Sequence, residues 1–156
     1  MQIRILTVGK TKTQHWQVAE SEYIRRIKKY SDVQQVVVKD ATREAMSNPE
    51  LAKEIEGKNL LAKISDDEYL VALDSRGQQM TSEAFAEFFE KRALRGTNKF
   101  SFVLGGPLGL SQVILQRADV LLSLSKMTLP HELAKVVLLE QVYRAFSILR
   151  HEKYHK

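Results

Sequence analysis

Short apolar runs alternate with longer amphipathic segments five times along this chain, and that alternation constrains the fold more than any other feature. The runs at residues 3–8, 33–38, 69–73, 99–104 and 120–124 are rich in β-branched or aromatic residues and read as strands. Between them the apolar period changes. Trp16, Ala19, Tyr23, Ile27 and Tyr30 recur at spacings of three and four, which puts them on one helix face. Pro49 suits the first turn of a second helix, where its missing N–H costs nothing. Leu51, Ile55, Leu61 and Ile64 give that helix a rough apolar stripe, weakened by Gly57. Thr81 is placed to cap a third helix carrying Phe85, Phe88 and Phe89, and Ser111 to cap a short fourth that ends near Ala118. The last helix runs from about His131 to Leu149. The pattern predicts an α/β fold with a mainly parallel sheet flanked by helices. At 156 residues, with no repeat or linker, one domain spanning 1–156 is expected.

Composition excludes several chemistries. There is no cysteine, so disulfides, cysteine nucleophiles and thiolate metal sites are ruled out. His15, His131, His151 and His155 show no metal-ligand spacing, and no metal is expected. A serine-hydrolase elbow is absent. No apolar run approaches the roughly 20 residues needed to cross a bilayer. Residues 1–6 read as a first strand rather than a signal peptide, which fits a cytoplasmic protein without a membrane partner. The formal net charge of +5 favours a polyanionic partner.

Three segments carry candidate chemistry. Gly105-Gly106-Pro107-Leu108-Gly109 sits between a strand and a helix, where ligands of open α/β sheets bind. It matches neither the dinucleotide template nor the P-loop, and by itself it is equally a plain turn needing positive φ. Leu124, Ser125, Lys126, Met127, Thr128 and Leu129 form a loop that mixes apolar and polar residues before Pro130-His131. Such a loop can line an apolar adenine slot and offer backbone hydrogen bonds, or simply be a buried connection. The tail Tyr154-His155-Lys156 joins an aromatic, an imidazole and a cation, types that suit stacking on bases and holding phosphates, or a solvated terminus. Asp74, at a strand end, reads as a turn acid as readily as a catalytic one, and Glu140 with Arg144 reads as an ion pair on the last helix.

Taken in order, these segments carry a resemblance. Thr-Val-Gly-Lys from residue 7, Leu-Gly-Gly-Pro-Leu-Gly-Leu from 104, Leu-Ser-Lys-Met-Thr-Leu-Pro-His from 124, Glu-Gln-Val-Tyr-Arg-Ala-Phe from 140 and the final Tyr-His-Lys resemble the bacterial 23S ribosomal RNA pseudouridine N3-methyltransferases, in the SPOUT superfamily of knotted methyltransferases. The resemblance spans the chain and is strongest from Val103 onward. It implies a C-terminal trefoil knot, with the cofactor site at about 100–156, and a homodimer. It implies S-adenosyl-L-methionine as cofactor, contacted by Leu73, Gly105, Leu124, Ser125, Lys126, Met127, Thr128 and Leu129, with Gly106 close by. A side chain at Gly105 would then fill space that the cofactor needs. Tyr154, His155 and Lys156 would lie near the target pseudouridine of 23S ribosomal RNA, read on the assembled ribosome, with His155 as candidate proton acceptor. Lys156 departs from relatives that place Arg there and continue; Lys lacks the bidentate fork of Arg. Two other readings stay open: a non-enzymatic ribosome-associated RNA-binding factor, and a transfer-RNA methyltransferase on the same scaffold, which typically carries an added RNA-binding domain.

Overall fold

The sheet is built from β1 (Gln2–Val8), β2 (Asp32–Val38), β3 (Tyr69–Gln78), β4 (Lys99–Leu104) and β5 (Val120–Leu122). Its order is β2-β1-β4-β3-β5, and every pairing is parallel. The structure is a computed structural model and describes residues 1–154. The helices are α1 (Gln14–Ile27), α2 (Pro49–Leu61), α3 (Ser82–Leu94), α4 (Gln112–Arg117) and α5 (His131–Leu149), with a short 3-10 turn at Ala45–Ser47.

Parallel strands need helical crossovers, and these cover both faces of the sheet. On one face Ile3, Ile5, Phe100 and Phe102 pack against side chains of α1, α3 and α5. Rings dominate that core: Phe89 lies 5.0 Å from Phe100 and 4.9 Å from Phe85, both edge-to-face. On the other face Leu6, Val8, Leu70, Ala72 and Val103 meet Leu60 of α2 and Ile114 of α4. Helix starts follow the sequence where a side chain can reach the first turn. The Thr81 hydroxyl accepts the Ala84 N–H at 3.1 Å, and Asn48 Oδ1 accepts that of Leu51 at 3.3 Å.

Four local expectations are revised. β3 does not stop at Leu73. It continues irregularly through Asp74-Ser75-Arg76-Gly77, and pairing resumes where Gln78 meets Leu122. Gly77 permits this, because a Cβ there would lie 2.5 Å from the Leu121 backbone. β5 ends at Leu122 rather than at 124. α2 buries Ala52, Glu56, Gly57 and Leu60, while Leu51 stays 45% exposed. The cause is the close approach of α4, since a Cβ on Gly57 would sit 1.9 Å from Ser111 Oγ. That hydroxyl caps nothing; it is buried without a hydrogen-bond partner among the described residues.

Candidate cofactor and RNA site

The carboxyl ends of β3, β4 and β5 converge on a cavity of about 220 Å³. Leu73 at the end of the regular part of β3, Gly105 and Gly106 after β4, and Leu124, Ser125, Met127, Thr128 and Leu129 after β5 all line it. The two loops were separate sequence signals and Leu73 came only from the resemblance; the fold brings all three to one place. Lys126 is the exception: it is exposed and is not among the lining residues. Sequence reading missed Leu104, Leu122, Ser123 and His131, which also line the cavity. Leu104 and His131 left a trace, as the first residue of the glycine motif and as the residue after Pro130 at the start of α5.

Each wall has its own means of holding shape. In the glycine loop, Gly109 has φ +81°, its N–H is accepted by the Gly106 carbonyl at 3.0 Å, and the two form an isolated bridge. Gly105 sits so close to Gly109 that a Cβ on it would lie 2.5 Å from the Gly109 carbonyl carbon and oxygen. The space denied to a side chain at 105 is therefore filled by the loop itself, which corrects the expectation that it belongs to the cofactor. In the second loop, the Ser123 hydroxyl donates to the Ser125 carbonyl and the Ser125 hydroxyl accepts the Met127 N–H, both at 2.9 Å. Met127 projects outward, 76% exposed.

Asp74 lies at the cavity edge, and Arg76 bonds its carboxylate at 2.8 Å. That guanidinium, with the Arg76 backbone N–H, holds the Asp74 carboxyl below its ordinary pKa. Asp74 is thus a fixed anion beside the cavity rather than a group ready to exchange protons near neutrality. Among the described residues no group of three His, Asp or Glu is placed to hold a metal.

The tail is arranged differently. The Tyr154 hydroxyl bonds Glu140 Oε1 at 3.1 Å, its ring lies edge-on to Tyr143 at 4.7 Å, and the Arg144 guanidinium sits 4.7 Å above it. Burial, with hydrogen bonds to Tyr23 and Glu140, pushes the phenol above its ordinary pKa. These partners begin nine residues beyond His131, about 13 Å along α5 at 1.5 Å per residue. Tyr154 is therefore a packed residue of the α1–α5 face and does not line the cavity of its own chain. His155 and Lys156 lie outside the described residues.

A larger hollow of about 740 Å³ lies at the opposite end of the sheet, bordered by Asp66, Asp67, Lys99, Arg117 and Asp119. Its charges are largely matched within the chain: Lys99 pairs with Asp67 at 2.6 Å and Arg117 with Asp119 at 3.5 Å. It opens at the amino ends of β3 and β4, whereas ligands of parallel sheets bind at the carboxyl ends. The smaller cavity is the better candidate.

Residues 1–155 match the family model described as "Predicted SPOUT methyltransferase". The chain is 46% identical over 159 aligned residues to the ribosomal RNA large subunit methyltransferase H of Exiguobacterium sp., and 41% identical to that of Carboxydothermus hydrogenoformans. Both alignments cover all of each chain. Among solved structures, a probable methylase family protein from Haemophilus influenzae superposes with TM-score 0.55 at 16% identity, over 99% of this chain and 70% of that one. A probable methyltransferase from Bordetella pertussis gives 0.56 at 14% identity, over 92% and 95%. At such identities these two likenesses speak for the fold alone.

Proposed function

The chain belongs to the SPOUT methyltransferase family, with the ribosomal RNA large subunit methyltransferases H as its relatives, and we propose that it methylates N3 of a pseudouridine in 23S ribosomal RNA using S-adenosyl-L-methionine. The observation that carries this reading is the joint one: end-to-end likeness to those enzymes, and one cavity lined by eight of the nine positions assigned to the cofactor. The family also implies a trefoil knot within about 100–156.

The donor set fits such a cofactor. Leu73, Leu104, Leu122 and Leu129 supply an apolar slot, and the two loops present backbone groups beside it. When bound, S-adenosyl-L-methionine supplies an electrophilic methyl group on a sulfonium. The protein's task is alignment: the loop at 105–109 and the loop at 123–129 form two walls of fixed shape. N3 must give up its proton as the new bond forms. We assign that proton to His155, because an imidazole is the side chain suited to take up a proton near neutrality, with Lys156 toward the RNA. The working unit is a homodimer, because a chain of this size needs a second copy to complete a surface for RNA. Ribosomes place the reaction in the cytoplasm, and no helix among the described residues is long and apolar enough to cross a membrane.

Titration calorimetry with S-adenosyl-L-methionine, followed by transfer of a labelled methyl group to unmodified ribosomes and to naked RNA, tests the reading. Saturable cofactor binding with label at a pseudouridine of intact ribosomes is the expected result. No cofactor binding would leave the non-enzymatic ribosome factor as the better account, and label only in transfer RNA would move the substrate.

A further inference from the structure

The segment between β1 and α1 leaves the carboxyl end of the sheet beside the cavity. Gly9 and Thr11 share a hollow of about 10 Å³ with Gly105 and His131, both of which also line the cofactor cavity. The segment is fastened at several points. The Gly9 N–H donates to the Val38 carbonyl at 2.9 Å, the Lys12 N–H to Glu132 Oε1 at 2.6 Å, and the Gln17 amide to the Thr11 carbonyl at 2.8 Å.

These bonds also decide the local charge. Residues 9–19 contain Lys10 and Lys12 and no acid. The adjacent acids are engaged elsewhere. Glu132 is held below its ordinary pKa by the Thr13 hydroxyl and the Lys12 backbone N–H, so it spends its charge on the backbone. Glu20 is buried against Lys135 and the Thr11 hydroxyl. Asp40 lies against Gly9, but the exposed Lys39 precedes it. Lys10 and Lys12 are exposed, and their ammonium groups make no ion pair among the described residues. The result is two free cations on a fastened strip of backbone at the edge of the methyl-donor cavity.

We propose that Lys10 and Lys12 are phosphate contacts of the RNA site, gripping the backbone beside the target nucleotide. The assignment rests on the ribosomal RNA reading above. Because the strip is already ordered, binding phosphates there requires little further ordering of the protein backbone. Contacts of this kind position the substrate without reading its sequence.

The test compares the Lys10→Gln/Lys12→Gln double variant with Lys28→Gln/Lys29→Gln. Lys28 and Lys29 are exposed at the other end of α1, roughly 20 Å away by helix rise. Methylation of unmodified ribosomes is followed across a salt series. The first variant should keep its affinity for S-adenosyl-L-methionine and raise KM for ribosomes more than it lowers kcat. Its plot of log kcat/KM against log salt should flatten by about 1.4, at about 0.7 for each phosphate no longer neutralised. The intact protein should then lose about sevenfold more than the variant between roughly 50 and 200 mM salt. The second variant should behave as the intact protein. An unchanged slope, equal flattening in both variants, or weakened cofactor binding in the first overturns the assignment. An intact protein that methylates no ribosome overturns the ribosomal reading and this assignment together.

Discussion

The Lys135 ammonium lies 2.8 Å from the Glu20 carboxylate, and both side chains are about 95% buried. The pair joins α5 to α1 one turn below His131, and Gln35 Oε1 accepts a further bond from Lys135 at 2.8 Å. Desolvating two charges is costly, so the pair adds little over an apolar contact, but breaking it strands a buried ion. Lys135→Met should cost about 3–5 kcal/mol in urea unfolding, and Glu20→Gln/Lys135→Met should recover much of that loss. If the double variant is as unstable as Lys135→Met, the cost lies in packing and not in the stranded carboxylate.

The two glycines after β4 should respond oppositely to alanine. At Gly105 the new methyl would collide with the Gly109 backbone at 2.5 Å; at Gly106 it would meet Val8 at 3.6 Å, an ordinary contact. Gly105→Ala should cost about 1–3 kcal/mol through loop distortion. Gly106→Ala should stay within about 0.5 kcal/mol and serve as the cleaner probe of cofactor contact. Thermal melts with and without S-adenosyl-L-methionine measure both effects. Equal destabilisation by the two changes would contradict the loop geometry.

Much of this was legible in the sequence, for identifiable reasons. Ile3 and Ile5 in β1, and Phe100 and Phe102 in β4, sit on strands buried on both faces, so their apolar runs are unambiguous. What stayed hidden depends on contacts between distant segments. Gly77 looks like a turn residue until Leu121 is laid across it, and Gly57 looks like a helix flaw until Ser111 is packed on it. Lys126 sits in a motif whose neighbours line the cavity, and only the path of the backbone shows that it is exposed. Tyr154 read as an RNA-facing residue of an unpacked tail because its partners, Glu140, Tyr143 and Arg144, lie on a helix already complete without it.

Acid should weaken the fold partly through Glu68. Its carboxylate is buried, which alone would raise its pKa. Hydrogen bonds from Ser101, Arg4 and the Ser65 N–H outweigh that and hold it below the ordinary value of 4.5. A group whose folded pKa is depressed contributes its full stability above the unfolded value and loses it as pH falls through the folded one. Urea midpoints should therefore drop as pH falls below 4.5. In Glu68→Gln the drop should be shallower, with stability at neutral pH lower by about 3 kcal/mol because Arg4 loses its partner. Parallel acid limbs in the two proteins would remove Glu68 from the account.

The tail can be divided into a packed residue and two terminal ones. Deleting His155 and Lys156 leaves the Tyr154 contacts in place, so urea stability and cofactor affinity should hold while methylation falls severely. Deleting Tyr154 as well removes its bond to Glu140, its edge-on contact with Tyr143 and the guanidinium of Arg144 above its ring. That longer deletion should cost about 1–2 kcal/mol of further stability. Tyr154→Phe keeps the ring and loses only the hydroxyl, so it should recover most of the difference. Single changes then separate the remaining roles. His155→Ala should slow the chemical step more than it weakens ribosome binding, as removal of a proton acceptor would. Lys156→Ala should mainly weaken binding and reduce its salt dependence. Single-turnover rates at saturating ribosome and cofactor give the chemical step directly. If the protein lacking His155 and Lys156 reacts at the intact rate, the proton must leave N3 by another route and the terminal pair has no part in the site.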